Sequence, residues 1–231
     1  MITARVSNVA AYARWKQDED MPLGVLVNQI LSSVQTEAMA KGTAFHKFLE
    51  HAQAGGTELV TVDGYTFAFT GDFNIYLPQM REWRKGKDYG GITVSGQCDA
   101  IEHRTIYDHK TTERFDAESY LDSWQHRFYL DIFDADRFVW NVWEMNELDK
   151  PKAYGVHHLH QLTQYRYPKL TADCTDLALE FAEFARKHIP QLEQADGRLH
   201  GQGIPSADDG VRNPSLVELL HRSVDACPPR P

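Results

Sequence analysis

The segment "SGQCDAIEHRTIYDHKTT", residues 95–112, places Asp99, Asp108 and Lys110 inside runs that otherwise alternate as β-strands do. A two-residue turn at His103 and Arg104 sets Glu102 opposite Thr105, Ile101 opposite Ile106 and Asp99 opposite Asp108. Side chains alternate faces along a strand, so Gln97 shares a side with Asp99, and Lys110 with Asp108. Carboxylates directly opposite one another repel, and burying one unpaired carboxylate is costly. A divalent cation between them removes both penalties. Carboxylate oxygens, the backbone carbonyl of His109 and water suit Mg²⁺ or Mn²⁺ and not a thiolate-preferring metal. A solvent-facing hairpin with merely exposed acids fits the same pattern.

The surrounding chain must supply elements that hold these strands. Ser7 predicts the cap of a helix through "NVAAYARWKQDE", with Val9, Tyr12 and Trp15 on one apolar face. "PLGVLVNQILSS" predicts a short buried helix, and "TEAMAKGTAFHKFLEHAQ" a longer one, capped by Thr36 and stopped by Gly55 and Gly56. "ELVTVDGYTFAFT" reads as a hairpin turning at Asp63 and Gly64. A polar segment with "MREWRKGKDYGG" precedes the two strands of the opening stretch. "AESYLDSWQHRFYLDIF" predicts one helix with Leu121, Trp124, Phe128 and Ile132 buried. "RFVWNVWEM" and "AYGVHHLHQLTQY" predict two further strands, and "DCTDLALEFAEFARKHI" a late helix closed by Pro190. The sum is an α/β fold, a central, mainly antiparallel mixed sheet flanked by helices. One domain is expected over residues 1–200, and a loop-rich tail with a short helix "SLVELLHRSV" over 201–231.

Composition narrows the setting. The 231 residues are 42% hydrophobic, enough for one substantial core. No apolar run approaches the roughly 20 residues of a membrane span, and the charged N-terminus lacks a secretory apolar block. Cys98, Cys174 and Cys227 are odd in number and widely spaced, which favours a reducing, cytoplasmic compartment. A net charge of −9 argues against a nonspecific nucleic-acid coat, yet leaves room for a nucleic-acid enzyme whose carboxylates are neutralised by metal.

"GQCDAIEHRTIYDHKTT" resembles the core motif of the PD-(D/E)XK nuclease superfamily, an Asp on one strand and an acid-x-Lys on the next. Two further pieces resemble its RecB-like branch, which includes phage and bacterial recombination exonucleases. "GTAFHKFLE" matches the helical motif through Gly42, His46 and Glu50, and "QHRFY" matches Q-x-x-x-Y through Gln125 and Tyr129. All three come in the family's order across residues 42–129. The resemblance implies a restriction-endonuclease-like core and a metal-dependent deoxyribonuclease, more an exonuclease than an endonuclease, serving recombination or repair. DNA is the implied substrate, and a single-strand annealing or recombination protein an implied partner. Homo-oligomers occur among such exonucleases. With three cysteines the chain cannot supply the four-cysteine iron–sulfur cluster of some relatives.

By the same resemblance, His46, Asp99, Asp108 and the His109 carbonyl hold one or two Mg²⁺ or Mn²⁺ ions. Glu50 ligates the ion or orients water, and Lys110 stabilises the attacking oxygen and the charge on phosphorus. Gln125 and Tyr129 position the site. Taken alone, His46 and Glu50 also read as an ordinary surface pair one turn apart, and Gln125 and Tyr129 as a half-exposed amide beside a core ring. Arg81, Trp83, Arg84, Lys85 and Lys87 form the most concentrated basic and aromatic stretch, suited to a phosphate backbone and a stacked base. A solvated loop or helix end explains them equally. Two rival functions remain: a catalytically silent DNA-binding or assembly module on the same fold, and a zinc hydrolase built on His157, His158 and His160, which have no acid or cysteine at ligand spacing.

Overall fold

Two tight turns made largely without glycine organise the sheet. Strands β2 (Leu59–Val62) and β3 (Tyr65–Phe69) meet at Asp63 and Gly64, with φ of 50° and 81°. Strands β5 (Ile92–Glu102) and β6 (Thr105–Thr112) meet at His103 and Arg104, with φ of 45° and 60°. Two successive positive φ values give the turn the twist that hairpin strands require. Left-handed backbone costs a side-chain-bearing residue about 1–2 kcal/mol. Arg104 offsets that cost locally: its guanidinium pairs with Asp134 at 2.9 Å and Asp136 at 2.7 Å, and its carbonyl accepts the Asp136 amide at 2.9 Å.

The computed structural model describes residues 1–32, 34–52, 59–70, 73, 78 and 80–197. The expected tail over 201–231, its short helix and the glycine stop at Gly55 and Gly56 lie outside the described residues. Strands β1 (Ile2–Arg5), β4 (Met80–Asp88), β7 (Arg137–Glu147) and β8 (Ala153–Tyr165) complete an eight-stranded mixed sheet in the order β1-β5-β6-β7-β8-β3-β2, with β4 also paired to β5. The pairs β2–β3, β4–β5, β5–β6 and β7–β8 are antiparallel, while β1–β5, β3–β8 and β6–β7 are parallel. Helices α1 (Val6–Gln17), α2 (Leu23–Leu31), α3 (Glu37–His51), α4 (Ala117–Leu121), α5 (Trp124–Ile132) and α6 (Leu170–His188) flank it, followed by a 3-10 helix at Pro190–Gly197. The fold is the α/β arrangement expected, consistent with a restriction-endonuclease-like core.

Two cores lie on opposite faces. Phe138, Trp140 and Val142 of β7 pack with residues of α1, α5 and α6, whereas Trp143 and Met145 pack with Phe45 and Leu49 of α3 and with β2, β3 and β8. Burial on both faces explains why "FVWNVWEM" is nearly continuously apolar instead of alternating.

Several expectations need correction. Ser7 lies within the first turn of α1, whose start follows strand β1 at Arg5 without a side-chain cap. Helix α2 is not buried: only Leu26 is, while Leu23, Val25 and Leu31 face solvent. The single helix expected over residues 117–133 is two, because Asp116 caps α4 and Ser123 restarts the chain by accepting the Gln125 amide. Leu121 accordingly falls outside the buried stripe. "MREWRKGKD" is neither loop nor helix end but strand β4, zipped along β5.

Candidate active site

The site lies where β5 loses a neighbour. Along one edge β5 is paired with β4 from Thr93 to Ile101. Along the other, β1 covers Ile92–Ser95 and β6 covers Ala100–Glu102, so Gly96 to Asp99 have no strand partner there. Open backbone groups need substitutes, and side chains provide them. The Tyr129 hydroxyl donates to the Gln97 carbonyl at 2.8 Å, and the Asp99 carboxylate accepts the His109 amide at 2.6 Å. The Tyr129 ring lies so close that a Cβ on Gly96 would meet it at 3.3 Å and Val6 at 3.2 Å, which accounts for glycine there. The expected turn register holds for Glu102–Thr105 and Ile101–Ile106. Asp99 and Asp108, however, are not a ladder pair: pairing stops at Ala100–Tyr107, and the Asp99 side chain takes the place of a backbone acceptor.

Helix α3 brings His46, whose Nδ1 lies 3.4 Å from Asp99 Oδ1. Thr36 caps that helix by accepting the Met39 amide, and Phe45 and Leu49 seat it in the second core. On the other side of the gap, Asp108 is buried with Oδ1 accepting from Gln125 Nε2 of α5 at 3.0 Å. Its Oδ2 has no hydrogen bond of acceptable geometry and faces the Lys110 ammonium in an ion pair. Lys110 in turn lies 5.5 Å from the centre of the Trp140 ring. His109 points the opposite way, its Nδ1 accepting from the Trp143 indole at 3.3 Å, which leaves the ring proton on Nε2. Asp99 therefore sits in the gap, between an α3-facing group with His46 and an α5-facing group with Asp108 and Lys110.

The charges interact across that gap. Burial pushes the Asp99 carboxyl up, but the hydrogen bond and charge of His46, aided by Lys110, outweigh it and hold the pKa down at about 2. Burial drives Asp108 up to about 6 against the pull of Lys110, with Asp99 adding to the rise. Burial opposes the charged forms of His46 and Lys110, yet neighbouring carboxylates raise both, so the lysine is a cation at neutral pH. His109 is pushed down to about 4 by burial and is neutral.

A small recess opens to solvent and is lined by His46, Glu50, Arg81, Glu82, Asp99 and His109. The exposed Glu50 thus lies at the site, one turn beyond His46. Glu82 carries no sequence mark, being embedded in a basic run. Among the described residues, His46, Glu82 and Asp99 form the one set of three potential metal ligands whose donor atoms all lie within 4.8 Å of one another. Asp108 is not in that set. An imidazole and two carboxylates fit a hard or borderline divalent ion such as Mn²⁺.

The basic stretch on β4 is largely engaged within the fold. Arg81 donates to the carbonyls of Leu49 at 2.9 Å, Ala52 at 3.2 Å and Pro78 at 2.8 Å, closing the end of α3. Arg84 holds Gln97 Oε1 at 2.7 Å, Lys87 pairs with the buried Asp131 at 2.8 Å, and Trp83 meets Phe133 edge-on at 5.6 Å while staying part-exposed. Lys85 has no hydrogen-bond or ion-pair partner among the described residues. The histidines of β8 are dispersed: His157 contacts Thr70, while His160 stacks on Phe115 at 4.0 Å. An acid does reach His160, since β7 brings Glu144 to 2.7 Å, but His158, His160 and Glu144 do not form a ligand group.

No family model matches the chain, and no curated protein matches it. Among solved structures, the chain is similar to SSO0001 at 14% identity and a TM-score of 0.44, over 81% of this chain and 77% of that one. It is also similar to LHK-Exo in complex with dAMP at 12% identity and a TM-score of 0.42, over 82% and 89%. Neither match decides what this chain does.

Proposed function

We propose that the chain is a metal-dependent DNA nuclease that hydrolyses phosphodiester bonds, with exonuclease action preferred. One observation carries this reading: at a single break in strand pairing, His46 reaches Asp99 while Asp108 is gripped by Gln125 and Lys110. A scaffold gains nothing from burying such a costly set. The donor set around Asp99 fits a divalent cation. When bound, such an ion supplies Lewis acidity at phosphate and a lowered pKa for water.

The protein's own groups divide the remaining work. His46 and the His109 amide fix the Asp99 carboxylate, and the His109 carbonyl belongs to the proposal as a further oxygen donor to the ion. Gln125 orients Asp108. Lys110, protonated, offers N–H bonds to a phosphoryl oxygen or the attacking oxygen and stabilises the negative charge that builds on phosphorus. Glu50 orients water at the recess mouth, and Tyr129 acts by holding β5 in place. The part-exposed Trp83 and Lys85 are the groups of β4 left to meet a DNA strand. Mg²⁺ or Mn²⁺ as the ion, a recombination or repair setting, an annealing partner and self-association belong to the same proposal. Among the described residues no helix is long and apolar enough to cross a membrane.

The test is cleavage of end-labelled DNA by purified protein with Mg²⁺ or Mn²⁺, comparing linear with closed circular substrate. Metal-dependent loss of label from linear DNA, abolished by Asp108→Ala, is expected. Cleavage that survives both Asp108→Ala and Lys110→Ala removes the proposal.

A further inference from the structure

We propose that Glu82 is a direct ligand of the divalent cation held by His46 and Asp99, so that one ion is clamped between α3, β4 and β5. The inference rests on the reading that this recess takes a divalent ion, and it adds a ligand that none of the motifs contains.

Geometry comes first. The donor atoms of His46, Glu82 and Asp99 lie within 4.8 Å of one another. Ligands on one octahedral ion at about 2.1 Å lie about 3 Å apart when adjacent and about 4.2 Å apart when opposite. The three donors are thus within the reach of one ion after small rotations. All three residues line the same recess, which opens to solvent and gives an ion its entry path.

The local chain aims Glu82 there. Arg81 pairs with Ala100 and Trp83 with Cys98, which sets Glu82 opposite Asp99, yet those two make no ladder pair. Glu82 instead adopts φ of 55° within an otherwise extended strand. Arg81, one residue earlier, fastens β4 to the carbonyls that end α3, the helix that carries His46.

A third contact fixes the carboxylate. Arg84 can only donate, so its bonds at 2.7 and 3.2 Å identify the Gln97 atom it meets as the carbonyl oxygen. The Gln97 amide NH₂ must then face Glu82, to which it donates. That chain, Arg84 to Gln97 to Glu82, is an outer support of the type that orients metal ligands. A carboxylate serving only as a surface hydrogen-bond acceptor would not have to reach within ligand distance of His46 and Asp99. The donor set, one imidazole with two carboxylates, favours Mn²⁺ over Mg²⁺.

The experiment is calorimetric titration of Mn²⁺ into the full chain, wild type against Glu82→Gln and Glu82→Asp, with far-ultraviolet spectra to verify the fold and DNA cleavage measured in parallel. The expected result is saturable Mn²⁺ binding by wild type, weakened about tenfold or more in Glu82→Gln and by less in Glu82→Asp. Folded Glu82→Gln protein with wild-type affinity overturns the assignment, and the nuclease reading stands if wild type still cleaves DNA. Glu82-dependent Mn²⁺ binding by a chain that cleaves no DNA keeps the ligand and removes the nuclease. If Glu82→Gln does not fold, Glu82→Asp carries the test: weakened binding supports the assignment, and unchanged affinity overturns it. Wild type that binds no Mn²⁺ overturns the ligand assignment, and the nuclease reading falls with it if neither Mg²⁺ nor Mn²⁺ supports cleavage of DNA.

Discussion

Lys110 and Gln125 hold the same buried carboxylate for different reasons, and their loss should be felt differently. The ammonium neutralises Asp108 and, in the proposed reaction, meets the charge that grows on phosphorus. Lys110→Ala is therefore expected to cut the rate of DNA cleavage by about 10²-fold or more, measured in single-turnover assays at saturating Mn²⁺. Gln125 only donates one hydrogen bond to Asp108 Oδ1. Gln125→Leu should cost about 1–3 kcal/mol, the penalty of an acceptor left buried without its donor. Chemical denaturation should register it, with cleavage slowed but still detectable.

At the scale of elements, the site depends on how α3, β4 and β5 are fastened together. Arg81 donates to the carbonyls of Leu49 and Ala52 at the end of α3, where a helix runs out of intrahelical donors and only the Ala52 amide reaches back to Leu49. Arg81→Ala should lower unfolding stability by about 1–3 kcal/mol, read from the urea midpoint. It should also weaken Mn²⁺ binding, because His46 sits on that helix. Gly96 shows the opposite constraint. A methyl there meets Val6 at 3.2 Å and the Tyr129 ring at 3.3 Å, so Gly96→Ala should destabilise by about 1–3 kcal/mol through overpacking. The same substitution at the exposed Gly24, which has open space around it, should not. Comparing the two urea midpoints checks this.

For the whole molecule, two histidines buried in neutral form weaken the fold in acid. His126 lies under Phe138 and Trp140 with Nδ1 unbonded, and burial lowers its pKa to about 4. An unfolded histidine titrates near 6.5. Between about pH 6.5 and 4 the unfolded chain therefore binds a proton that the folded chain refuses, and stability falls by up to about 1.4 kcal/mol per pH unit from this group. His109 acts in the same direction. Asp108 and His46, whose folded-state pKa values are raised, act the other way. The contribution of His126 is therefore read as a difference: between pH 7 and 5 the melting temperature of His126→Phe, which keeps the aromatic contact without the titration, should fall less, or rise more, than that of wild type.

Local chemistry alone made much of this legible. Alternation marked β5 and β6, Asp63 and Gly64 announced the β2–β3 hairpin, Thr36 capped its helix, and three short motifs picked out His46, Asp99, Asp108, Lys110 and Gln125. Each of these signals lies within a few residues of chain, where spacing maps directly onto a helix face or a strand side. Arg81 and Glu82 could not be found that way. Their meaning comes from partners on α3 and β5 far away in sequence, and from one residue turned to positive φ inside a strand. The basic run containing them suggested a DNA track, and only the pairing of β4 with β5 revealed that most of its charges hold the protein together. Nor could strand alternation foresee that Asp99 fills a gap in the ladder instead of facing Asp108, because where pairing stops is decided by what packs against the sheet, here Tyr129 against Gly96.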